Sequence, residues 1–279
     1  MLPRLFACSA VLVAALVGTS RTAPADDPKP VRALLVVGGC CHDYAKQKDI
    51  LTKGISARAN VQWAIAYDTD KGTKHLNPVY EKDDWAKGFD VVVHDECCAD
   101  VKDGKTIDRI LKPHKDGLPA VVLHCGMHSY RGEGYPKATA WFDLTGLAST
   151  GHGPQAPIAV RYIDKESPVT KGLEDWVTKN EELYNNSAGK LLETAQPLAR
   201  GKQTYTPKGG KERTDEAVVV WTNKYNGKAK VFATTLGHNN DTVEDGRYLD
   251  LVARGLLWSV GKLEESYLKP SKKVLIDEK

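Results

Sequence analysis

The chain has 279 residues, 39 Lys and Arg against 36 Asp and Glu, and a formal net charge of +3 at pH 7. Charges of both signs are interleaved rather than blocked, which excludes a nucleic-acid partner, a polybasic membrane patch and an acidic tail. A small neutral partner fits this balance.

Arg4 precedes an apolar run from Leu5 to Val17, followed by small residues and Ala23-Pro24-Ala25. That order reads as a secretory signal peptide over residues 1–25, so the mature protein is expected to be exported, periplasmic or extracellular. The run is short for a transmembrane helix, and no later segment is apolar enough to span a bilayer. Cleavage removes Arg4 and Arg21 and leaves a net charge of about +1. The remaining roughly 250 residues fit one enlarged α/β domain, drawn over 26–262 and followed by a charged tail at 263–279.

A linker at 26–30 leads into a strand at Val31. Ile50, Leu51, Ile55 and Ala59 then recur at near-helical spacing over 44–59. Strands are expected at Val61–Tyr67, Phe89–His94 and Pro119–His124, with a polar loop at 69–84 and a helix at Lys102–His114. This βαβαβ succession implies right-handed crossovers and a doubly wound, mainly parallel sheet with helices on both faces. Beyond Gly126 come a helix at Ala138–Leu147 and strands at Ile158–Ile163, Leu191–Leu198, Ala217–Trp221 and Lys230–Thr234, an added antiparallel portion. Residues 201–215 read as an exposed loop, and Gly246–Val260 as the closing helix.

Three apolar runs end abruptly in reactive side chains. The first meets Cys40-Cys41-His42, the second His94-Asp95-Glu96-Cys97-Cys98, and the third His124-Cys125-Gly126-Met127-His128. Ligand sites in open parallel sheets lie outside the carboxyl ends of the strands, so these segments should share one rim. The last resembles a nucleophile elbow, with His124 or Cys125 at the tip. His152 between glycines, Glu182 after Glu181, and His238-Asn239 after a glycine add two imidazoles and a carboxylate, a common set for a divalent metal such as zinc. His75 and His114 fall in polar contexts where exposure is the default. Gly38-Gly39 lacks the dinucleotide fingerprint, and no nucleotide cofactor is expected.

Five cysteines remain after the leader, all near strand ends. An oxidising compartment favours a disulfide between the first pair and the second. With neither CxxC nor zinc-ribbon spacing, structural bridges or small buried residues are the reading, rather than a cysteine-rich metal site.

Ser167-Pro168-Val169-Thr170-Lys171-Gly172-Leu173 leading to Glu182-Leu183-Tyr184, and Lys230 to His238 leading to Arg254-Gly255-Leu256-Leu257-Trp258, join the elbow in a recognisable order. Together these segments resemble the ThuA-like (trehalose utilisation) family over about residues 31–261. The resemblance implies a flavodoxin-like fold similar to class I glutamine amidotransferases, and a role in carbohydrate metabolism. It places His124 where those enzymes carry their catalytic cysteine, with Cys125 one position beyond, so glutaminase chemistry is not expected.

The leading expectation is an exported enzyme acting on a disaccharide or keto-sugar by hydrolysis, elimination or isomerisation. Proton transfer would fall to His124 and His128, and the substrate or metal would meet His42, His152, Glu182 and His238. Arg131 and Asn239 would bind sugar oxygens, and Tyr44 would stack on a pyranose face. Two alternatives stand: a non-catalytic carbohydrate-binding module, and a thiol hydrolase built on Cys125.

Overall fold

The computed structural model describes residues 28–276. The expected leader lies outside them. Among the described residues no helix is long and apolar enough to cross a membrane.

In chain order the elements are β1 (Val31–Gly39), α1 (Tyr44–Ser56), β2 (Val61–Tyr67), β3 (Val91–Cys97), α2 (Gly104–Lys115), β4 (Ala120–Leu123) and α3 (Ala140–Thr145). Then follow β5 (His152–Ala156), β6 (Ile158–Tyr162), β7 (Trp176–Val177), β8 (Glu181–Tyr184), β9 (Ala195–Tyr205), β10 (Arg213–Tyr225), β11 (Ala229–Thr234), α4 (Asn240–Val243) and α5 (Gly246–Ser259). Nine strands form one sheet in the order β2-β1-β3-β4-β11-β10-β9-β6-β7. From β2 to β11 every neighbour is parallel, the doubly wound flavodoxin-like order with β11 as the fifth strand. From β11 outward every pairing is antiparallel. A separate ribbon, β5 with β8, stands over the carboxyl ends of the parallel strands.

The parallel strands are Val-, Ile- and Leu-rich because both faces are covered. On one face Leu35, Val37, Val93 and Leu123 pack with Leu51 and Ile55 of α1 and Leu251, Val252 and Leu256 of α5. On the other, Val36, Val92 and Val122 pack with Ile107, Ile110 and Leu111 of α2 and with Trp141 and Leu144 of α3. Asp103 and Asp245 begin α2 and α5, each accepting a backbone N–H of the first turn.

Three expectations change. The exposed loop expected at 201–215 is confined to 206–212; residues 201–205 and 213–215 on either side belong to the hairpin of β9 and β10, whose outer positions are polar because only one side packs on the core. The segment after Leu263 is not a free tail. It runs along the open edge of β2, with Asn60 N–H donating to Tyr267 O, Trp63 N–H to Val274 O and Ile276 N–H to Trp63 O, which covers an edge otherwise open to pairing. Finally, the disulfide joins Cys40 to its neighbour Cys41 and does not bridge the first pair to the second. Cys41 has φ of 82°, and this left-handed turn folds the two adjacent thiols onto each other.

Candidate active site

The carboxyl ends of β1, β4 and β11 deliver three imidazoles to one rim. His42 follows β1, His124 follows β4, and His238 follows β11. Their ring centroids are 4.8 Å apart for His42–His124, 4.7 Å for His42–His238 and 5.3 Å for His124–His238. Each offers one ring nitrogen, and the three lie within 4.8 Å of one another.

Local backbone builds this convergence. His124 has φ of 36°, a left-handed conformation that a side chain beyond Cβ tolerates poorly. That is the sharp strand-to-turn geometry of an elbow, and it lifts the imidazole to the rim. Gly237 has φ of 120°, and a Cβ there would lie 2.8 Å from the Tyr248 hydroxyl, so only glycine lets the loop bring His238 this close. The loop is held from beneath by Glu181, fully buried, whose carboxylate accepts the backbone N–H of Gly237 and of His238 at 3.2 and 3.0 Å. Gln47 of α1 donates to the carbonyls of Gly237 and His238.

The hydrogen bonds fix the tautomers. His124 Nδ1 lies 2.6 Å from the Thr235 carbonyl and must donate to it, leaving Nε2 as a lone pair facing the Tyr184 hydroxyl at 3.2 Å and His238 Nδ1 at 3.3 Å. His42 Nδ1 likewise donates to the His238 carbonyl, freeing its own Nε2. Gln155, on β5, donates its amide N–H to His238 Nε2 at 2.7 Å, so the inward Nδ1 of that ring carries a proton and donates to Glu182 Oε2 at 3.2 Å. Burial, and then the proximity of a neighbouring imidazole, keeps His42 and His124 neutral: His42 is lowered to about 4, and His124 well below the usual imidazole range.

Glu182 completes the group from the overlying ribbon. Its Oε2 lies 3.2 Å from His238 Nδ1, 3.7 Å from His124 Nε2 and 3.5 Å from His152 Nε2. Burial alone would raise this carboxyl, but the hydrogen bond with His238 and the nearby imidazoles hold it below its ordinary range. His152 is two-fifths exposed at the mouth, with Nδ1 on the Gly153 carbonyl. His42, His128, Arg131, His152, Gln155, Glu182 and His238 line a cavity of about 480 Å³. A larger cleft of about 890 Å³ opens on the far side of His152 and Tyr184, lined by Asn185, Arg200, Tyr205 and Arg213. His42 and His238 line the smaller cavity and not the larger one.

Other expected residues take different places. His128 is buried, its ring stacked 4.1 Å from Tyr184 and its Nε2 2.8 Å from Ser149 Oγ; burial and then the Arg131 charge lower it to about 3. So weak a base is a poor proton acceptor near neutrality. Cys125 is buried, and its contact with Cys97, then burial, push its thiol well above the ordinary range, the opposite of an activated nucleophile. Tyr44 does not present a ring face to a sugar. It is 4% exposed and packs edge-on against His42. Arg131 donates to the His128 carbonyl and lies over Tyr135, with its guanidinium on the cavity wall. Asn239 donates to the Asn180 carbonyl at the start of α4. Glu181, Tyr184, Ser149 and Gln155 were not picked out as site residues. For Tyr184 a signal existed, since period-two alternation in β8 puts it on the same face as Glu182.

A doubly wound α/β protein with an imidazole-rich centre at its switch-point rim is thus the class defined by fold and site. Residues 32–259 match the model of the ThuA family, described as trehalose utilisation, and the chain belongs to that family. Two solved structures are similar in fold. A putative ThuA-like protein from Parabacteroides merdae is 22% identical, with a TM-score of 0.57 over 88% of this chain and 93% of its own. Another, from Bacteroides uniformis, is 17% identical, with a TM-score of 0.61 over 85% and 95%. No curated protein matches the sequence.

Proposed function

We propose that the protein is an exported carbohydrate-processing enzyme in which His42, His124, His238 and Glu182 hold a divalent cation and His152, paired with Glu182, moves a proton. The observation that carries the reading is the set of three inward ring nitrogens, drawn from three strand ends and lying within 4.8 Å of one another. Family membership supports a role in trehalose utilisation and hence a small carbohydrate as substrate.

The residues fit a metal. His42 and His124 donate Nδ1–H to carbonyls and keep Nε2 as a ligating atom, and His238 would ligate through Nδ1 once the Gln155 side-chain amide turns its oxygen toward Nε2–H; with the Glu182 carboxylate these form a donor set suited to zinc and its neighbours. When bound, such a cation polarises a sugar carbonyl or hydroxyl and stabilises oxyanion charge. The protein supplies the rest. His152 has Nδ1 committed to Gly153, so a proton leaving the substrate would lodge on Nε2, between the ring and Glu182 Oε2. Arg131 lines the same cavity, where it would bind a sugar oxygen. His124, assigned above to proton transfer, becomes a ligand because its Nε2 points into the imidazole group. His128 becomes a support for Tyr184.

A disaccharide has room. One ring would occupy the 480 Å³ cavity and the second would extend past His152 into the larger cleft. The test is a screen of glucosides, disaccharides and their keto derivatives with zinc-loaded protein, run beside Glu182→Gln and His152→Ala. Turnover lost in both variants supports the reading. Sugar binding without turnover in any sample would favour the carbohydrate-binding module instead.

A further inference from the structure

Beside the imidazole centre lies a second group of metal-capable atoms that the sugar chemistry does not use. The Sγ atoms of Cys40, Cys41 and Cys97 all lie within 4.8 Å of one another, with Cys40 Sγ 3.2 Å from Cys97 Sγ. The backbone is shaped to bring them there. Gly39, at φ of 92°, presses the end of β1 so closely on β3 that a Cβ would collide with the Cys97 carbonyl. Cys40 N–H donates to that carbonyl, and the left-handed turn at Cys41 brings its sulfur back to Cys40. Cys97 is buried, Cys40 half-buried, and Cys41 exposed on the cavity wall.

The Cys40–Cys41 bond is a poor staple. A disulfide stabilises chiefly by closing a loop of the unfolded chain, and this one joins consecutive residues. Three sulfurs gathered at an accessible wall therefore need another use. Thiolates about 4 Å apart, each about 2.3 Å from a shared ion, describe a trigonal thiolate site. Sulfur ligands select soft, thiophilic cations over those that imidazole and carboxylate prefer.

We propose that Cys40, Cys41 and Cys97, once the Cys40–Cys41 bond is reduced, form a three-thiolate site for a soft cation such as Cu(I), Cd²⁺ or Zn²⁺, distinct from the imidazole centre. Reduction by an external dithiol transfers two electrons and two protons to the two sulfurs and leaves the reductant as its disulfide. Cation binding then displaces the thiol protons. Sequence spacing gives no hint of this site, because its third ligand arrives from the neighbouring strand. It does not depend on the sugar reading.

The test uses the full chain and Cd²⁺ as probe, reading the ultraviolet thiolate-to-cadmium charge-transfer band before and after reduction. The expected result is no band before reduction, one further equivalent bound after it with the band as its signature, at least about tenfold weaker thiolate binding in Cys97→Ser, and an unchanged band in His238→Ala. Mass mapping of alkylation checks the same site without a variant: Cd²⁺ should protect Cys40, Cys41 and Cys97 together in the reduced protein. No band after reduction, a band unaltered in Cys97→Ser, or protection of other cysteines would overturn the proposal.

Discussion

The sheet carries two clusters of histidine and glutamate, and their difference shows what makes such residues a site. At the rim, ring nitrogens of His42, His124 and His238 converge with the Glu182 carboxylate beneath an open cavity. On the opposite face of the sheet, His94 and Glu96 of β3 meet His114 of α2, Tyr80 and Tyr130, all at most 1% exposed. There every polar atom has a fixed partner. His114 Nδ1 donates to the Leu118 carbonyl, His94 Nε2 lies 3.1 Å from His114 Nε2, and both tyrosine hydroxyls donate to Glu96. The sealed cluster is walled in on every side by the fold; the rim cluster sets its ring nitrogens and carboxylate beside a space that a ligand can enter.

The largest contrast should appear when one member of each cluster is removed. Glu182→Gln or His238→Ala should lower turnover on the responsive sugar by at least about 100-fold, with a melting temperature near that of the metal-stripped parent. His114→Ala should do the reverse. It strands the buried His94 and should cost about 3 kcal/mol of stability, read by urea unfolding, with turnover per folded molecule intact. Chelator treatment comes next and should lower the melting temperature of the parent but not of His238→Ala, since ligand binding stabilises only the form that binds.

Acid should stress the sealed cluster in a defined window. Burial, then the neighbouring His94, lowers His114 from 6.5 to about 3, so the fold favours its neutral form. Its contribution is fully present above pH 6.5 and is lost as pH falls toward 3, on the order of a few kcal/mol over the window. Melting temperatures should therefore drop between pH 7 and 4.5. The drop should be shallower in His114→Asn, which keeps a donor for Leu118 but does not titrate.

The smallest effects separate the rim from its scaffold. Cys125→Ala and mild alkylation should leave turnover within about twofold, because the thiol is buried and held protonated. Tyr44→Phe should change neither stability nor turnover appreciably, since the Tyr44 hydroxyl is buried without a hydrogen-bond partner.

The parallel half was legible because its strands are buried on both faces and read as continuous β-branched runs, as at Val91-Val92-Val93 and Ala120 to Leu123. Strands β9 and β10 were harder, since one face is solvated and the polar residues at 202–216 mask the alternation. His42, His124, His152, Glu182 and His238 were visible as strand-end or glycine-flanked residues. Their tautomers were not, because Thr235, Gly153 and Gln155 act through backbone geometry or from a short ribbon. His114 shows the limit from the other side. Its polar neighbours Lys112 and Lys115 suggested exposure, yet its own position on the inner face of α2 buries it completely.

The central claim is that the rim cluster is a single working centre, and the most direct measurement is metal-dependent turnover across a panel of disaccharides and keto-glycosides. The account predicts that metal-stripped protein is inactive, that one equivalent of zinc restores consumption of at least one sugar, and that Glu182→Gln stays inactive at the same zinc level. Turnover that persists without metal and in Glu182→Gln, or zinc-loaded protein that consumes no sugar on the panel, would contradict it.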